Sequence, residues 1–234
     1  MKTKIIAYTP FFLLKKIIFN RISYSLIILF FAIGSFSIVK FSNLNPMDIY
    51  KSMYRFNICL LLLIPGFLLL NNSVSFYFNN SRFLTRYTKL FEWWRDRSLI
   101  TGILAFFYSL ITTAIFSIPV LLNSEQKVVT FIFLSFIIQF FGYVFLGIVY
   151  NIINYYLNMY FTLLLILFCL ISLKIVESLN NNFNPIYKIM YLTYKNNFIL
   201  NVNDYLNTGS LSVSILISFY VGFLVIKDKD IKWR

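Results

Sequence analysis

Long apolar runs recur along this 234-residue chain and limit its possible folds more than any other feature. A helix needs about 20 consecutive apolar residues to cross the hydrocarbon core of a bilayer. The chain has runs of roughly this length at residues 22–39, 56–78, 99–122, 128–150, 159–176 and 211–226. The pattern predicts an all-α polytopic membrane protein, with six transmembrane helices in a single domain that covers residues 1–234.

The composition excludes a soluble globule, because 59% of the residues are hydrophobic and 12% are charged, too few to cover its surface. The net charge of +13 would suggest a nucleic-acid partner for a soluble protein. In a membrane protein the basic residues orient the chain instead, so no nucleic-acid partner is expected. The two cysteines lie in apolar runs and histidine is absent, so the sequence indicates no metal site and no cofactor bound to this chain.

The basic residues predict the orientation of the spans. Lys and Arg concentrate in cytoplasmic loops, and six spans place both termini on the same side. Most of the 21 basic residues precede the first span, lie between the second and third, or follow the last. The N and C termini are therefore predicted to be cytoplasmic. The frequent Lys, Asn, Ile, Phe and Tyr are typical of low-GC bacteria, which favours a bacterial plasma membrane.

An amphipathic segment precedes the first span. Thr9 and Pro10 form a helix-start signature, and the apolar residues that follow are interleaved with Lys15 and Lys16. This pattern predicts an N-terminal interfacial helix whose lysines contact anionic membrane lipids.

The outer loop from 178 to 209 is too apolar for a flexible linker, yet Lys188 and Lys195 interrupt it. Two short helices that dip into the outer leaflet would satisfy both features. The sequence therefore predicts a re-entrant helical hairpin before the last span.

The segment from 80 to 98, NSRFLTRYTKLFEWWRDRS, separates the second and third apolar runs. Helical spacing gives it one apolar stripe, formed by Phe83, Tyr87, Leu90, Phe91 and Trp94. Charged residues, Asp96 among them, occupy the opposite arc, and the tryptophans at 93 and 94 are expected at headgroup depth. One interpretation is a basic loop that only sets topology. Setting topology requires neither an ordered helix nor acidic residues. Their presence indicates a cytoplasmic surface for a soluble partner.

This layout resembles the ABC-2-type transporter permeases. The stretch RFLTRYTKLFEWWRDRS is similar to small Gram-positive members of peptide or bacteriocin exporter and immunity systems. The resemblance implies a permease subunit without catalytic residues, paired with a second copy or a related chain. It also implies two copies of a separate ATPase that carry ATP and Mg²⁺. The cytoplasmic coupling helix would then include Arg82, Arg86, Lys89, Phe91, Glu92, Trp93, Trp94, Arg95 and Asp96.

The energy source follows from what the spans lack. No ionisable residue lies near the middle of a predicted span, whereas transporters driven by protons or sodium usually carry one. No phosphate-binding G-x-x-x-x-G-K-[ST] motif is present, so ATP would be hydrolysed by another subunit. The expected substrate is an amphipathic peptide or a lipid-like molecule. The alternatives are the six-span substrate-binding subunit of a vitamin importer and a non-transport membrane protein.

Overall fold

The fold is taken from a computed structural model of the chain. It describes residues 46–54, 56–79, 87, 89–122, 128–179, 194–195, 199–200 and 202–227, together with five isolated positions between 25 and 33. The predicted N-terminal interfacial helix and nearly all of the predicted span at 22–39 lie outside the described residues.

Helices account for almost all of the described residues. In chain order the elements are α1 (Pro46–Met53), α2 (Phe56–Ile58), a π-helical turn (Cys59–Leu63), α3 (Ile64–Phe78), α4 (Leu90–Leu122), α5 (Val128–Ile153), α6 (Met159–Leu179), β1 (Tyr194–Lys195), β2 (Ile199–Leu200) and α7 (Val202–Lys227). The two strands pair antiparallel, with Tyr194 opposite Leu200.

Four helices in the described part of the chain are long and apolar enough to cross a membrane. They are Cys59–Phe78, Leu90–Leu122, Val128–Ile153 and Thr208–Lys227. A fifth apolar stretch, Met159–Ser172 within α6, is shorter. Since lipid offers no partner for unpaired backbone groups, such helices are the expected form for a chain of this composition. The chain is a membrane-embedded helical protein.

The third span differs from its prediction in where it begins. It was expected to start near 99, after a separate helix along the membrane surface, but α4 runs without a break from Leu90 to Leu122. No proline or glycine lies between 90 and 99 to end a helix there. Residues 90–98 therefore form about two and a half helical turns that continue directly into the span.

The outer loop also differs from its prediction. Its last residues, from 202 onward, belong to α7, and β1 and β2 form a two-residue antiparallel ribbon where a short helix was expected. Residues 180–193 of that loop lie outside the described residues.

The core lies where α5 packs against α3, α4 and α7. Phe67, Tyr108 and Tyr143 meet there, with ring centroids 4.9 to 5.5 Å apart. The Tyr108 hydroxyl donates a hydrogen bond of 2.8 Å to the carbonyl of Leu63, at the end of the π-helical turn. This bond satisfies a backbone group at an irregular turn, as burial in lipid requires.

The helices contribute unequally to this core. In each of the first three candidate spans, between 50% and 61% of an 18-residue apolar stretch is buried within the protein. In the span of α7 only 17% is buried. The outward face of α7 carries large exposed apolar side chains, including Leu216, Ile217 and Tyr220. In a bilayer, acyl chains can cover such a face, so α7 lies at the periphery of the bundle.

Gly147 allows α5 to approach its neighbours closely. A Cβ atom at this position would overlap Cγ2 of Thr101 on α4 and would lie 3.2 Å from the Phe67 ring on α3. Small residues at helix crossings permit such close backbone approach in membranes.

We expect Gly147→Ala to destabilise the bundle by about 1–3 kcal/mol, because the added methyl group must displace Thr101 or separate two helices. The matched control is Gly102→Ala on α4, where a Cβ would meet nothing within 4 Å. That change should preserve or raise stability, since alanine favours helix over glycine by about 0.5–1 kcal/mol. Thermal unfolding of both purified variants in detergent measures the difference, and equal melting temperatures would contradict the packing argument.

Candidate functional site

The candidate site lies at the end of the bundle where α3 ends, α4 begins, α5 ends and α7 ends. We call this the tryptophan end, after Trp93 and Trp94. Of the predicted coupling residues, Lys89, Phe91 and Arg95 are exposed there and Glu92 is half-buried. Arg82 and Arg86 lie outside the described residues.

The two tryptophans do not lie at the surface as the sequence suggested. Trp93 is 1% exposed and Trp94 is fully buried. Consecutive helical residues point about 100° apart, so the two rings reach different neighbours. Trp93 donates its indole hydrogen bond to the carbonyl of Phe78 at the end of α3 (3.2 Å), and Trp94 donates to Phe219 of α7 (3.0 Å). Both rings therefore join helices within the chain, and neither is exposed to a partner.

Trp94 holds the peripheral helix α7 in place. A Cβ atom at Gly222 would overlap the Trp94 ring and would lie 3.0 Å from Ile152. The missing side chain at 222 therefore makes room for the indole. Phe91, which the sequence places in the same stripe as Trp94, is 45% exposed and also touches α7, through Phe219 and Phe223.

Asp96 is also buried, although it was predicted to lie on the charged outer arc. Its side chain accepts two hydrogen bonds from Arg95, from Nε at 3.0 Å and Nη2 at 2.9 Å, and a third from the Tyr87 hydroxyl at 3.3 Å. This carboxylate is therefore already paired within the chain. A direct ionic contact with a partner is open to Arg95, whose side chain is 51% exposed, rather than to Asp96.

Arg97 is the residue that sequence reasoning missed. It is completely buried at the tryptophan end. Its Nη2 donates to Ser75 Oγ at 2.8 Å, its Nη1 donates to Asn79 Oδ1 at 3.4 Å, and its guanidinium carbon lies 5.2 Å from the Trp93 ring centroid. The Nε atom of Arg97 has no hydrogen-bond partner among the described residues, and neither has the buried hydroxyl of Ser98.

Ser75, which accepts a hydrogen bond from Arg97, begins a series of hydrogen-bonded polar side chains that crosses the bundle. We call Asn71, Ser75, Thr101 and Asn151 the asparagine network. Ser75 and Asn151 are joined at 3.1 Å, Asn151 donates to Thr101 at 2.9 Å, and Thr101 donates to Asn71 at 2.9 Å. Asn71 closes the network by donating to Asn151 at 3.3 Å and to the carbonyl of Gly147 at 3.2 Å. All four side chains are at most 1% exposed.

A sequence signal for this site exists in retrospect. Polar or small residues occur four positions apart on each of the three helices, at Asn71 and Ser75, Arg97 and Thr101, and Gly147 and Asn151. Residues at this spacing lie on the same face of a helix. Each pair alone is common, and only the packing of the three helices shows that the faces meet.

A smaller polar cluster lies toward the other end of the bundle. Tyr50 and Ser135 are joined at 3.1 Å, Gln139 donates to Ser135 at 3.1 Å, and Thr113 donates to Gln139 at 3.2 Å. These groups satisfy one another, so they form an internal brace rather than an open ligand pocket.

Within the ranges that the structure describes, no group of three or more Cys, Asp or Glu side chains could hold a metal ion. Comparison of the chain with protein-family models, curated proteins and solved structures gives no match.

Thr101→Val tests the asparagine network. Valine fills the same volume but leaves the oxygen of Asn71 and one amide proton of Asn151 without a partner, which should cost about 1 kcal/mol or more. The control is Thr162→Val, at a position that is also buried. The Thr162 hydroxyl donates to the carbonyl of Asn158, and that carbonyl also accepts the backbone N–H of Thr162, so it keeps a partner in the variant. A lower melting temperature is expected for Thr101→Val alone, and equal losses would argue against the network.

Proposed function

We propose that the chain is the membrane-spanning subunit of an ATP-driven transporter of the ABC-2 type. In this proposal a separate ATPase, present in two copies, binds ATP and Mg²⁺, and a second permease copy or a related chain completes the assembly. The observation that carries the proposal is the form of α4. Its first turns present exposed charged and aromatic side chains, and the same rigid helix then continues through the bundle.

A rigid, anchored helix is what force transmission requires. A push on the exposed residues around Lys89 and Arg95 would act on α4 as a whole, because no flexible turn separates them from the span. Trp94 would pass the movement to α7, and Arg97 would pass it to α3 through Ser75. A loop that only set topology would need none of these connections.

The need for an outside energy source is supported by the distribution of charge. In the four described candidate spans, every charged residue lies in the first turns of α4 or at Lys227, the last residue of α7. A transporter driven by protons or sodium usually carries ionisable groups near the middle of its spans. ATP hydrolysis by a partner subunit would supply the energy instead.

The burial of Trp93, Trp94 and Asp96 narrows the surface that an ATPase could contact. We propose a coupling surface made of Lys89, Phe91, Glu92 and Arg95, with Arg82 and Arg86 as further candidates outside the described residues. In this proposal the tryptophan end faces the cytoplasm of a bacterial cell, as its basic residues favour. The apolar, aromatic interior suits export of an amphipathic peptide or a lipid-like molecule, or immunity against such a peptide.

Isolation of the assembled complex tests the proposal directly. The tagged chain, purified in mild detergent from its own host, should bring with it a protein that contains a Walker A motif, at one copy per permease chain. Addition of that ATPase to liposomes containing the chain should change its rate of ATP hydrolysis. Recovery of the chain without any ATPase, together with an unchanged hydrolysis rate in liposomes, would contradict the proposal.

Charge reversal tests the coupling surface. We expect Lys89→Glu combined with Arg95→Gln to leave membrane insertion intact and to reduce recovery of the ATPase at least tenfold, because one exposed contact charge changes sign and another is lost. Glutamine at 95 can still donate a hydrogen bond to the buried Asp96 carboxylate, which Arg95 pairs with. Lys227→Glu is the matched control, since Lys227 is exposed at the same end of the bundle but lies on α7. Equal ATPase recovery with both variants would remove Lys89 and Arg95 from the contact.

A further inference from the structure

We propose that Arg97 forms a binding site for the phosphate of an anionic phospholipid in the leaflet at the tryptophan end. The site needs no assumption about transport, and it would exist whichever function the chain has. The guanidinium of Arg97 is completely buried, and within the part of the chain that the structure describes its contacts are with neutral groups.

A buried cation without a counter-ion is costly, because removal from water is compensated only in part by neutral hydrogen-bond acceptors. The one ion pair among the described residues joins Arg95 to Asp96. The charge of Arg97 is therefore left without an anionic partner. The ring of Trp93 offers some compensation through a cation–π contact, but no negative charge.

The guanidinium also has unused hydrogen-bond donors. Arginine carries five N–H donors, and those of Arg97 are used for one good bond to Ser75 and one bond of 3.4 Å to Asn79. Among the described residues, the Nε–H has no hydrogen-bond partner. Arginine binds phosphate through two neighbouring N–H groups at once, so an oxyanion beside Nε would gain both charge and hydrogen bonds.

A second edge of the guanidinium, at Nη1, is closed by a weak contact with Asn79. Asn79 is exposed, it lies just past the end of α3, and its bond to Arg97 is at the long limit for a hydrogen bond. Rotation of the Asn79 side chain would exchange a neutral amide oxygen for a charged phosphate oxygen. No bond needs to be broken apart from this long one.

Among the described residues, the carboxylates at this end are those of Glu92, which is half-buried, and Asp96, which is buried. The segment from 80 to 91 contains no Asp or Glu, and Asp96 is already paired. The acidic residues that follow α7, Asp228 and Asp230, lie outside the described residues. A ligand from the membrane is favoured because Arg97 lies near one end of the apolar part of α4, where a helix of this length leaves the hydrocarbon core. Lys89, Arg95 and Lys227 at the same end would attract anionic lipids.

The test measures lipid binding to the full chain in detergent. Native mass spectrometry and melting temperature would be recorded with phosphatidylglycerol, with phosphatidylcholine and with inorganic phosphate. We expect one phosphatidylglycerol retained per chain and a higher melting temperature with this lipid alone. Equal effects of both lipids, or equal protection by inorganic phosphate, would overturn the assignment of the site to an anionic lipid.

Variants assign the effect to Arg97. Arg97→Gln should weaken phosphatidylglycerol retention at least tenfold, whereas the control Lys227→Gln, which removes one positive charge from the same end, should change it by less than threefold. Retention of the lipid by a folded Arg97→Gln chain would overturn the proposal.

A second variant keeps the proposal testable if Arg97→Gln does not fold. Asn79→Asp places a carboxylate next to the guanidinium, so this chain should melt at a higher temperature in detergent and should no longer respond to phosphatidylglycerol. A full lipid response in Asn79→Asp would contradict the site. Asp228→Asn and Asp230→Asn are combined in a chain that keeps Asn79. If this chain responds to phosphatidylglycerol and the unchanged chain does not, the chain's own carboxylates occupy the site, and this too would overturn the proposal.

Discussion

The crossing of α3, α4 and α5 is the contact on which the rest of the structure depends. Apolar side chains alone give helices little reason to associate in lipid, because the acyl chains are equally apolar. The asparagine network supplies directional bonds among all three helices, and Gly147 lets them approach closely enough to form. The remaining apolar contacts, including the aromatic group around Tyr143, pack around this fixed crossing.

Around that crossing, α4 links the surface to the interior. Its first turns carry both the exposed residues of the proposed coupling surface and the buried residues that hold α3 and α7. In these two and a half turns, one side of the helix is exposed to a possible partner and the other side packs against α3 and α7. The buried positive charge of Arg97 lies on this packed side. A lipid phosphate at this point would respond to any movement of α4 relative to α3, since the two helices contribute the guanidinium and its neutral partners.

The sequence predicted parts of this arrangement and missed others for identifiable reasons. The spans predicted at 56–78, 128–150 and 211–226 agree within a few residues with three candidate membrane spans, because a long apolar run has few alternatives in a membrane. The helix that contains the last of them begins earlier, at Val202. The start of α4 was misplaced, since the charges at 92–97 resemble a surface helix when only one helix is considered. Asp96 and Trp93 were assigned to the surface for the same reason. Arg97 was not recognised, because the groups that surround it include Ser75 and Asn79, which come from another helix and its end.

Composition and the lengths of the apolar runs determined that this chain lies in a membrane and is built from helices, because a continuous apolar run of about 20 residues satisfies its backbone groups in lipid as a helix. Only the tertiary structure decided which polar residues are buried. Trp93, Trp94, Asp96 and Arg97 are adjacent in the sequence and differ little in pattern from an exposed segment. Their burial depends on neighbours from α3 and α7, and the spacing of residues within one helix carries no information about the helices that pack against it.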